Sequence, residues 1–123
     1  MCMNNDYRYT ETTVSLINYH FVFCPRYRRK IFLIPNMEQR FKELVKIKCE
    51  ELKINIIAIE CNEDHVHMFV NCLPTLSPSD IMHKIKGFTS KLLRTEFVEL
   101  SKMPNLWTRS YFVSTAGNVC SET

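Results

Sequence analysis

The chain has 123 residues, of which 46% are hydrophobic and 24% are charged, and its formal net charge is +3. This length fits one domain with its own core and excludes a disordered polyelectrolyte. No apolar run approaches the roughly 18 to 20 residues that cross a bilayer, and residues 1–6 do not resemble a secretory signal, so we expect a cytoplasmic protein with no membrane partner.

The first half of the chain predicts a strand, a helix and a hairpin after a loose arm over residues 1–12. Aromatic residues alternate along Val14–Cys24, which is typical of a central strand. Apolar residues at helical spacing predict a helix over Asn36–Lys53, capped by its first side chain. The segments Ile54–Glu60 and His65–Cys72 predict two further strands that pair with each other.

The second half predicts one more helix and one more strand. Ser77 is a predicted helix cap, with Pro78 in the first turn, and the helix is expected to run to about Phe97. Leu106–Thr115 predicts the last strand. The segment Gly117–Thr123 is typical of a turn that enters a further helix.

The resulting order, β-α-β-β-α-β, indicates an α+β domain over residues 13–123. It predicts a ferredoxin-like split βαβ sandwich, with a four-stranded antiparallel sheet and both helices on one face. The other face of the sheet is then open for function.

Two basic segments contain no acidic residue, although the chain as a whole is nearly neutral. They hold Arg26, Arg28, Arg29 and Lys30 in the first segment, and Lys84, Lys86, Lys91 and Arg94 in the second. This clustering indicates an anionic partner on one side of the molecule. Tyr27 lies within the first segment, and Trp107 and Arg109 begin the predicted last strand, so phosphate contacts combined with base stacking are expected.

His65 and His67 are the best candidates for chemistry. In a strand they emerge on the same face, roughly 6 to 7 Å apart, and could hold one divalent cation. Two strand histidines with local hydrogen bonds are the alternative. His20 on the first strand could share this face. A zinc set with Cys61 and Cys72 does not match the usual finger spacings.

The six cysteines are scattered and include no C-x-x-C pair. This spacing is not typical of a disulfide scaffold, and we expect reduced thiols that pack as small apolar side chains. The positions are Cys2, Cys24, Cys49, Cys61, Cys72 and Cys120.

Four segments together match the pattern of a known family. They are residues 19–30, 64–70, 86–90 and 106–119. In this order they resemble the small insertion-sequence transposases of the HUH single-tyrosine class, from about residue 14 to the end of the sequence. The resemblance implies a homodimeric transposase that acts on single-stranded DNA with hairpin ends.

In that family the two histidines, here His65 and His67, bind magnesium or manganese, and a tyrosine attacks the scissile phosphate to leave a 5′-phosphotyrosine link. The family's tyrosine lies on the helix after the Gly-Asn-Val segment, so we expect it beyond Thr123. None of the tyrosines in this sequence occupies that position, and the chain as given is expected not to cleave DNA.

Two features keep alternatives open. The same topology also suits a non-catalytic DNA- or RNA-binding module, whereas a two-histidine phosphoesterase would need a second histidine motif that the sequence lacks.

Gly87 lies inside a predicted helix, where it costs roughly 1 kcal/mol relative to alanine. We expect tight packing to explain this glycine, and close approach of a DNA backbone is the alternative.

Overall fold

The computed structural model describes residues 7–10 and 14–115. The elements in chain order are strands β1 (Arg8–Tyr9), β2 (Val14–Ser15) and β3 (Ile17–Phe23), helix α1 (Met37–Glu51), strands β4 (Asn55–Cys61) and β5 (Val66–Cys72), helix α2 (Pro78–Glu96) and strand β6 (Phe112–Thr115). Short 3₁₀ turns cover Arg26–Arg28, Ile31–Leu33 and Val98–Leu100.

The main sheet has four strands in the order β4-β5-β3-β6, and every neighbouring pair is antiparallel. The two strands at its centre, β3 and β5, pair over their whole length, from Ile17 opposite Cys72 to Phe23 opposite Val66. This strand order is that of the ferredoxin-like split βαβ fold. The fold prediction is confirmed.

Both helices cover one face of this sheet, because alternate strand residues supply the apolar side chains between them. Phe21 on β3 and Met68 on β5 are fully buried, as are Phe41 on α1 and Ile85 on α2. Burying a side chain of this size contributes about 1.5–3 kcal/mol. The odd-numbered residues of β5 and the even-numbered residues of β3 therefore face away from the helices.

The last strand is shorter than predicted, since it begins at Phe112 and not at Leu106. Leu106 and Trp107 are buried in the core, and the backbone beside them bonds across to the turn after β3. Arg26 N–H donates to the Leu106 carbonyl at 2.8 Å. The indole N–H of Trp107 donates to the Thr89 hydroxyl of α2 at 2.9 Å. One antiparallel bridge remains here, between Trp107 and Pro25, so the predicted strand is interrupted before Phe112 and does not run on continuously from Leu106.

One predicted helix cap is present and the other is not. The Ser77 hydroxyl accepts a hydrogen bond from Asp80 N–H at 3.0 Å, as expected. Asn36 instead has a left-handed backbone with φ of 68° and forms no side-chain cap, so α1 begins at Met37. The predicted turn and helix over 117–123 lie outside the described residues.

Part of the N-terminal arm, expected to be loose, is held against the sheet. Arg8 and Tyr9 pair with Ser15 and Val14. The guanidinium of Arg8 donates to the Lys53 carbonyl at 2.7 Å and to Asn71 Oδ1 at 3.0 Å. Among the described residues, no helix is long and apolar enough to cross a membrane.

Candidate metal centre and nucleic-acid interface

The face of the sheet that the helices leave open carries an aromatic and imidazole cluster. His20 on β3 lies between its two neighbouring strands, with its ring 4.2 Å from that of Phe69 and 5.9 Å from that of Phe112. Phe112 is 55% exposed. The sequence pattern predicts only that Phe112 lies in the last strand, since its place beside His20 depends on strand register.

His67 contacts His20 directly, with 3.3 Å between His67 Nδ1 and His20 Nε2. Burial lowers the pKa of His20, and the neighbouring His67 lowers it further. A hydrogen bond between two ring nitrogens requires a proton on one and a lone pair on the other. When the His67 Nδ1–H is the donor, His67 Nε2 keeps its lone pair for a metal ion.

His65 is fixed by a carboxylate. Its Nδ1 lies 2.7 Å from Asp64 Oδ1, and Arg28 Nε donates to Asp64 Oδ2 at 3.3 Å. The hydrogen bond with His65 holds the pKa of Asp64 below its usual range, and Arg28 adds to this effect. A carboxylate that accepts from Nδ1–H is the usual arrangement around a ligating histidine, because it directs the Nε2 lone pair outwards. Asp64 was expected only as part of a turn, because its contact with Arg28 joins distant segments.

His67 on β5 points away from the core, since its neighbours Val66 and Met68 are fully buried. His65 was predicted in the same strand but lies just before β5, which begins at Val66, and its side chain is partly exposed. Each ring has one nitrogen engaged by a protein partner, which leaves the other nitrogen available to a metal ion. Within the described residues, however, no three His, Cys, Asp or Glu side chains are arranged to hold a metal ion. His20 therefore contacts a candidate ligand without completing a three-residue site.

The zinc set considered from the sequence is not assembled. Cys72 is fully buried on the helix side of the sheet, and Cys61 packs against the same core, whereas the histidines face the opposite side. Burial raises the pKa of both thiols to about 12. Cys24, Cys49, Cys61 and Cys72 are all free. Cys49, Cys61 and Cys72 pack with the core as the predicted small apolar side chains, whereas Cys24 lies outside it, with its sulfur 4.0 Å from the Thr108 hydroxyl.

A groove of about 670 Å³ lies between α2 and residues 104–111. Its cationic side chains come from both basic segments and from the last loop: Arg26, Lys86, Arg94 and Arg109. None of its described lining residues is acidic. Arg109 was expected to contribute to DNA contact, and the fold places it in the same groove as Arg26, Lys86 and Arg94.

The remaining predicted DNA contacts are spread over other surfaces. Arg28, Arg29 and Lys30 are exposed, and Lys30 pairs with Glu63 at 3.5 Å. Lys84 and Lys91 are exposed on α2 but do not line the groove. Of the eight basic residues predicted to contact DNA, Arg26, Lys86 and Arg94 thus line the groove and the other five do not.

Gly87 lines this groove, and the packing explanation for it is wrong. A Cβ atom built at this position would meet nothing within 4 Å. Neither the sheet nor α1 requires a glycine there, so the alternative reason for this residue stays open.

Comparison with known proteins gives a consistent result. The family model described as "Transposase IS200 like" matches residues 13–123. The transposase for insertion sequence element IS200 of Salmonella typhimurium strain LT2 is 33% identical over 102 residues, which is 80% of this chain and 66% of that protein. The chain thus spans slightly less than two thirds of that relative. The ISDra2 transposase TnpA of Deinococcus radiodurans is 24% identical over 105 residues, 83% of this chain and 74% of its own length.

Solved structures share the fold. A crystal structure of a candidate transposase from Deinococcus radiodurans superposes with a TM-score of 0.81 at 22% identity, covering 89% of this chain and 86% of that one. A REP-associated tyrosine transposase bound to a REP hairpin gives a TM-score of 0.64 at 14% identity, covering 91% of this chain and 63% of that one.

Proposed function

The chain belongs to the family of IS200-like transposases, and from this membership we propose that it acts on single-stranded DNA with hairpin ends. The proposed reaction cuts and rejoins strands through a 5′-phosphotyrosine link, with His65 and His67 as metal ligands. The observation that carries this proposal is the pair of imidazoles on the open face, one fixed by Asp64 and the other by His20.

Each residue of this site has one role in the proposal. Asp64 accepts from His65 Nδ1–H, and His20 accepts from His67 Nδ1–H, so both Nε2 atoms are available on the open face. A bound magnesium or manganese ion would polarise the scissile phosphate and neutralise its developing charge. Two imidazoles favour manganese, or a magnesium ion whose remaining ligands are oxygens of the substrate and water.

The covalent step in this proposal exchanges one phosphate ester for another. The tyrosine oxygen bonds to phosphorus, the bond from phosphorus to the 3′ oxygen breaks, and that oxygen leaves as a hydroxyl after taking up a proton. Reversal rejoins the strand, because the new ester keeps the energy of the old one. None of the tyrosines among the described residues is assigned this role in the proposal.

For DNA contact we propose the basic residues of both segments: Arg26, Arg28, Arg29, Lys30, Lys84, Lys86, Lys91 and Arg94. The hairpin bound by a structural neighbour that shares this fold supports a hairpin substrate. Cationic side chains that neutralise phosphates release counterions, so affinity should fall with salt at a log–log slope of roughly 0.7 per contact on a single strand.

A homodimer in the cytoplasm completes the proposal. Within the described part of the chain, β6 pairs only with β3, so its outer edge is open to a second copy. Phe112 on the same strand is 55% exposed, which also favours a covering partner. Free buried thiols such as Cys49 and Cys72 suit a reducing compartment.

Manganese titration by calorimetry tests the metal site. We expect the His65→Ala and His67→Ala variants each to lose at least about 10-fold in manganese affinity, because each removes one of two protein ligands. His83→Ala is the matched control, since it removes an exposed histidine of α2 that lies outside the pair. Unchanged manganese binding in the double variant, which lacks both the His65 and the His67 ring, would overturn the metal assignment.

A hairpin oligonucleotide tests the DNA assignment in the same preparations. The wild-type chain should bind it with a salt-dependent affinity, and manganese should strengthen that binding. Salt-dependent binding that ignores manganese would favour the non-catalytic nucleic-acid-binding module. A flat response to salt would contradict DNA binding by the basic residues.

A further inference from the structure

We propose that the groove between α2 and residues 104–111 holds the backbone of an unpaired DNA strand, with Gly87 as the point of closest approach and Tyr27 as a stacking platform for a base at its edge. This inference rests on the proposed function and assigns a site within it. It is carried by three separate observations: the charge of the groove, the open space at Gly87 and the backbone conformation of Tyr27.

The charge of the groove matches a phosphodiester chain. Four cationic side chains line it, and no acidic residue does so within the described part of the chain. The ammonium of Lys86 contacts the carbonyls of Ser110 and Arg109 at 3.1 and 3.5 Å, and burial lowers its pKa. A phosphate beside Lys86 would supply the negative charge that two neutral carbonyls do not.

Arg94 is already held in a fixed position. Its Nε donates to the Ser90 carbonyl at 3.0 Å and to the Ser90 hydroxyl at 3.1 Å, while Nη1 donates to the Met103 carbonyl at 3.1 Å. A guanidinium fixed in this way loses little further side-chain entropy when a phosphate binds. The guanidinium of Arg94 therefore already has a fixed position in the groove before a ligand binds.

Gly87 indicates where a ligand comes closest. Glycine inside a helix is destabilising relative to alanine, and here no packing constraint explains it. The missing side chain leaves open space on the wall of a basic groove. The benefit of glycine at this position then lies with something outside the described residues, and a DNA backbone fits the charge around it.

Tyr27 gives an independent indication. It has φ of 61° and ψ of 18°, and Arg28 after it has φ of 51°. Two consecutive left-handed residues form a turn that Asn and Gly favour, so a tyrosine there is strained. Its side chain is nevertheless 84% exposed and contributes nothing to the core. The strained backbone holds the Tyr27 ring exposed between two arginines, and this position suits stacking on an unpaired base.

The turn joins the groove to the histidines. Arg26, the residue before Tyr27, lines the groove, and its Nε contacts the Trp107 carbonyl at 3.4 Å. Arg28, the residue after it, contacts the carboxylate that fixes His65. A strand that follows the groove and stacks on Tyr27 would therefore arrive beside the candidate metal ligands.

Substitutions of Gly87 test the groove. We expect Gly87→Ala to raise the melting temperature and Gly87→Leu to lower affinity by about 10-fold or more for a DNA hairpin with unpaired flanks on the order of ten nucleotides. Thr95→Leu is the matched control, because Thr95 is exposed on α2 and does not line the groove. Wild-type affinity in a folded Gly87→Leu variant would overturn the groove assignment.

Substitutions of Tyr27 test the stacking platform. Tyr27→Asn should melt at a higher temperature, because asparagine tolerates the left-handed backbone, and it should bind the flanked hairpin roughly 5- to 150-fold more weakly. Tyr27→Phe should bind like the wild type. Tyr9→Asn is the control, since Tyr9 is also exposed, at 75%. It lies in β1 beside Arg8, which contacts Asn71 at the end of β5 away from the histidines.

Two further readouts separate stacking from charge. The Tyr27→Asn loss should vanish on a blunt hairpin without unpaired nucleotides, and its salt slope should equal that of the wild type, because the ring contacts no phosphate. An equal loss on both hairpins would contradict base stacking. If the wild-type chain binds neither DNA, the proposed function fails; if it binds both and the variants do too, only this inference fails.

Discussion

The open face of the sheet has two ends, and they use polar side chains in opposite ways. At one end the arm covers an asparagine cluster, in which Asn71 Nδ2 donates to Asn18 Oδ1 at 2.8 Å and Asn71 Oδ1 accepts from Arg8. At the other end His20 and His67 contact each other and stay partly exposed. Asn18 and Asn71 are 4% and 2% exposed.

Polar side chains on this one surface thus serve two purposes: the asparagines stabilise the fold and the histidines can bind a ligand. Buried amides whose hydrogen bonds are satisfied within the protein hold the fold together, and they offer little to a ligand. Partly exposed imidazoles with one nitrogen engaged and one available offer a binding site at little structural cost. Substitutions at the two ends should therefore change different measurements.

The largest effect is expected at the closed end. Asn71→Ala removes the amide that joins Asn18, Arg8 and Asn55, and it leaves buried polar groups without that partner. We expect a loss of about 2–4 kcal/mol in the free energy of unfolding, measured by urea denaturation. Asn62→Ala, an exposed asparagine, is the control. A loss below that of the control would mean that the cluster does not stabilise the sheet.

The next effect belongs to the open end. His20→Ala should reduce manganese affinity about 10- to 100-fold, because His67 loses the partner that keeps the proton on Nδ1. Nitrogen-detected NMR of the His67 ring should show a mixed tautomer in this variant. His20→Gln, which retains an acceptor, should restore part of the affinity. A His67 tautomer unchanged by the alanine substitution would remove His20 from this role.

A smaller effect is expected where the arm meets the sheet. Arg8→Ala removes the contacts to Asn71 and to the Lys53 carbonyl, and we expect a loss of about 1 kcal/mol in stability. Proteolysis within the arm should become faster in this variant, while manganese binding at the far end should not change. If manganese binding weakened as well, the two ends would be coupled and the comparison would fail.

The smallest effect on stability is expected at Phe112. Because its ring is already 55% exposed, Phe112→Ser should change the free energy of unfolding by no more than about 0.5 kcal/mol. The same substitution should shift the proposed dimer towards monomer in sedimentation experiments. A wild-type chain that sediments as a monomer would contradict the proposed dimer directly.

Local sequence patterns were enough to predict the sheet, its covered face and the outward direction of His67. Alternation with a period of two is written in the sequence itself, so the exposure of His67 beside buried Val66 and Met68 followed from it. The start of β6 could not be predicted in the same way. Apolar residues such as Leu106 and Trp107 are favoured both in a strand and in a packed core, so their pattern does not show where the strand begins.

The residues that complete the site depend on contacts between distant segments. Asp64 bonds to its neighbour His65 but also to Arg28, 36 positions away. Arg109 and Arg26 line the same groove only after the chain has folded. The role of Gly87 also required the structure, since a glycine needed for packing and one that leaves open space look identical in a sequence.

The glycine in α2 and the left-handed tyrosine have a practical consequence for protein engineering. A laboratory selection for heat resistance alone would favour alanine at position 87 and asparagine at position 27, because both changes relieve the folded chain. Libraries built to improve expression or shelf life should therefore keep these two codons constant, or else score every clone for nucleic-acid capture alongside its thermal tolerance.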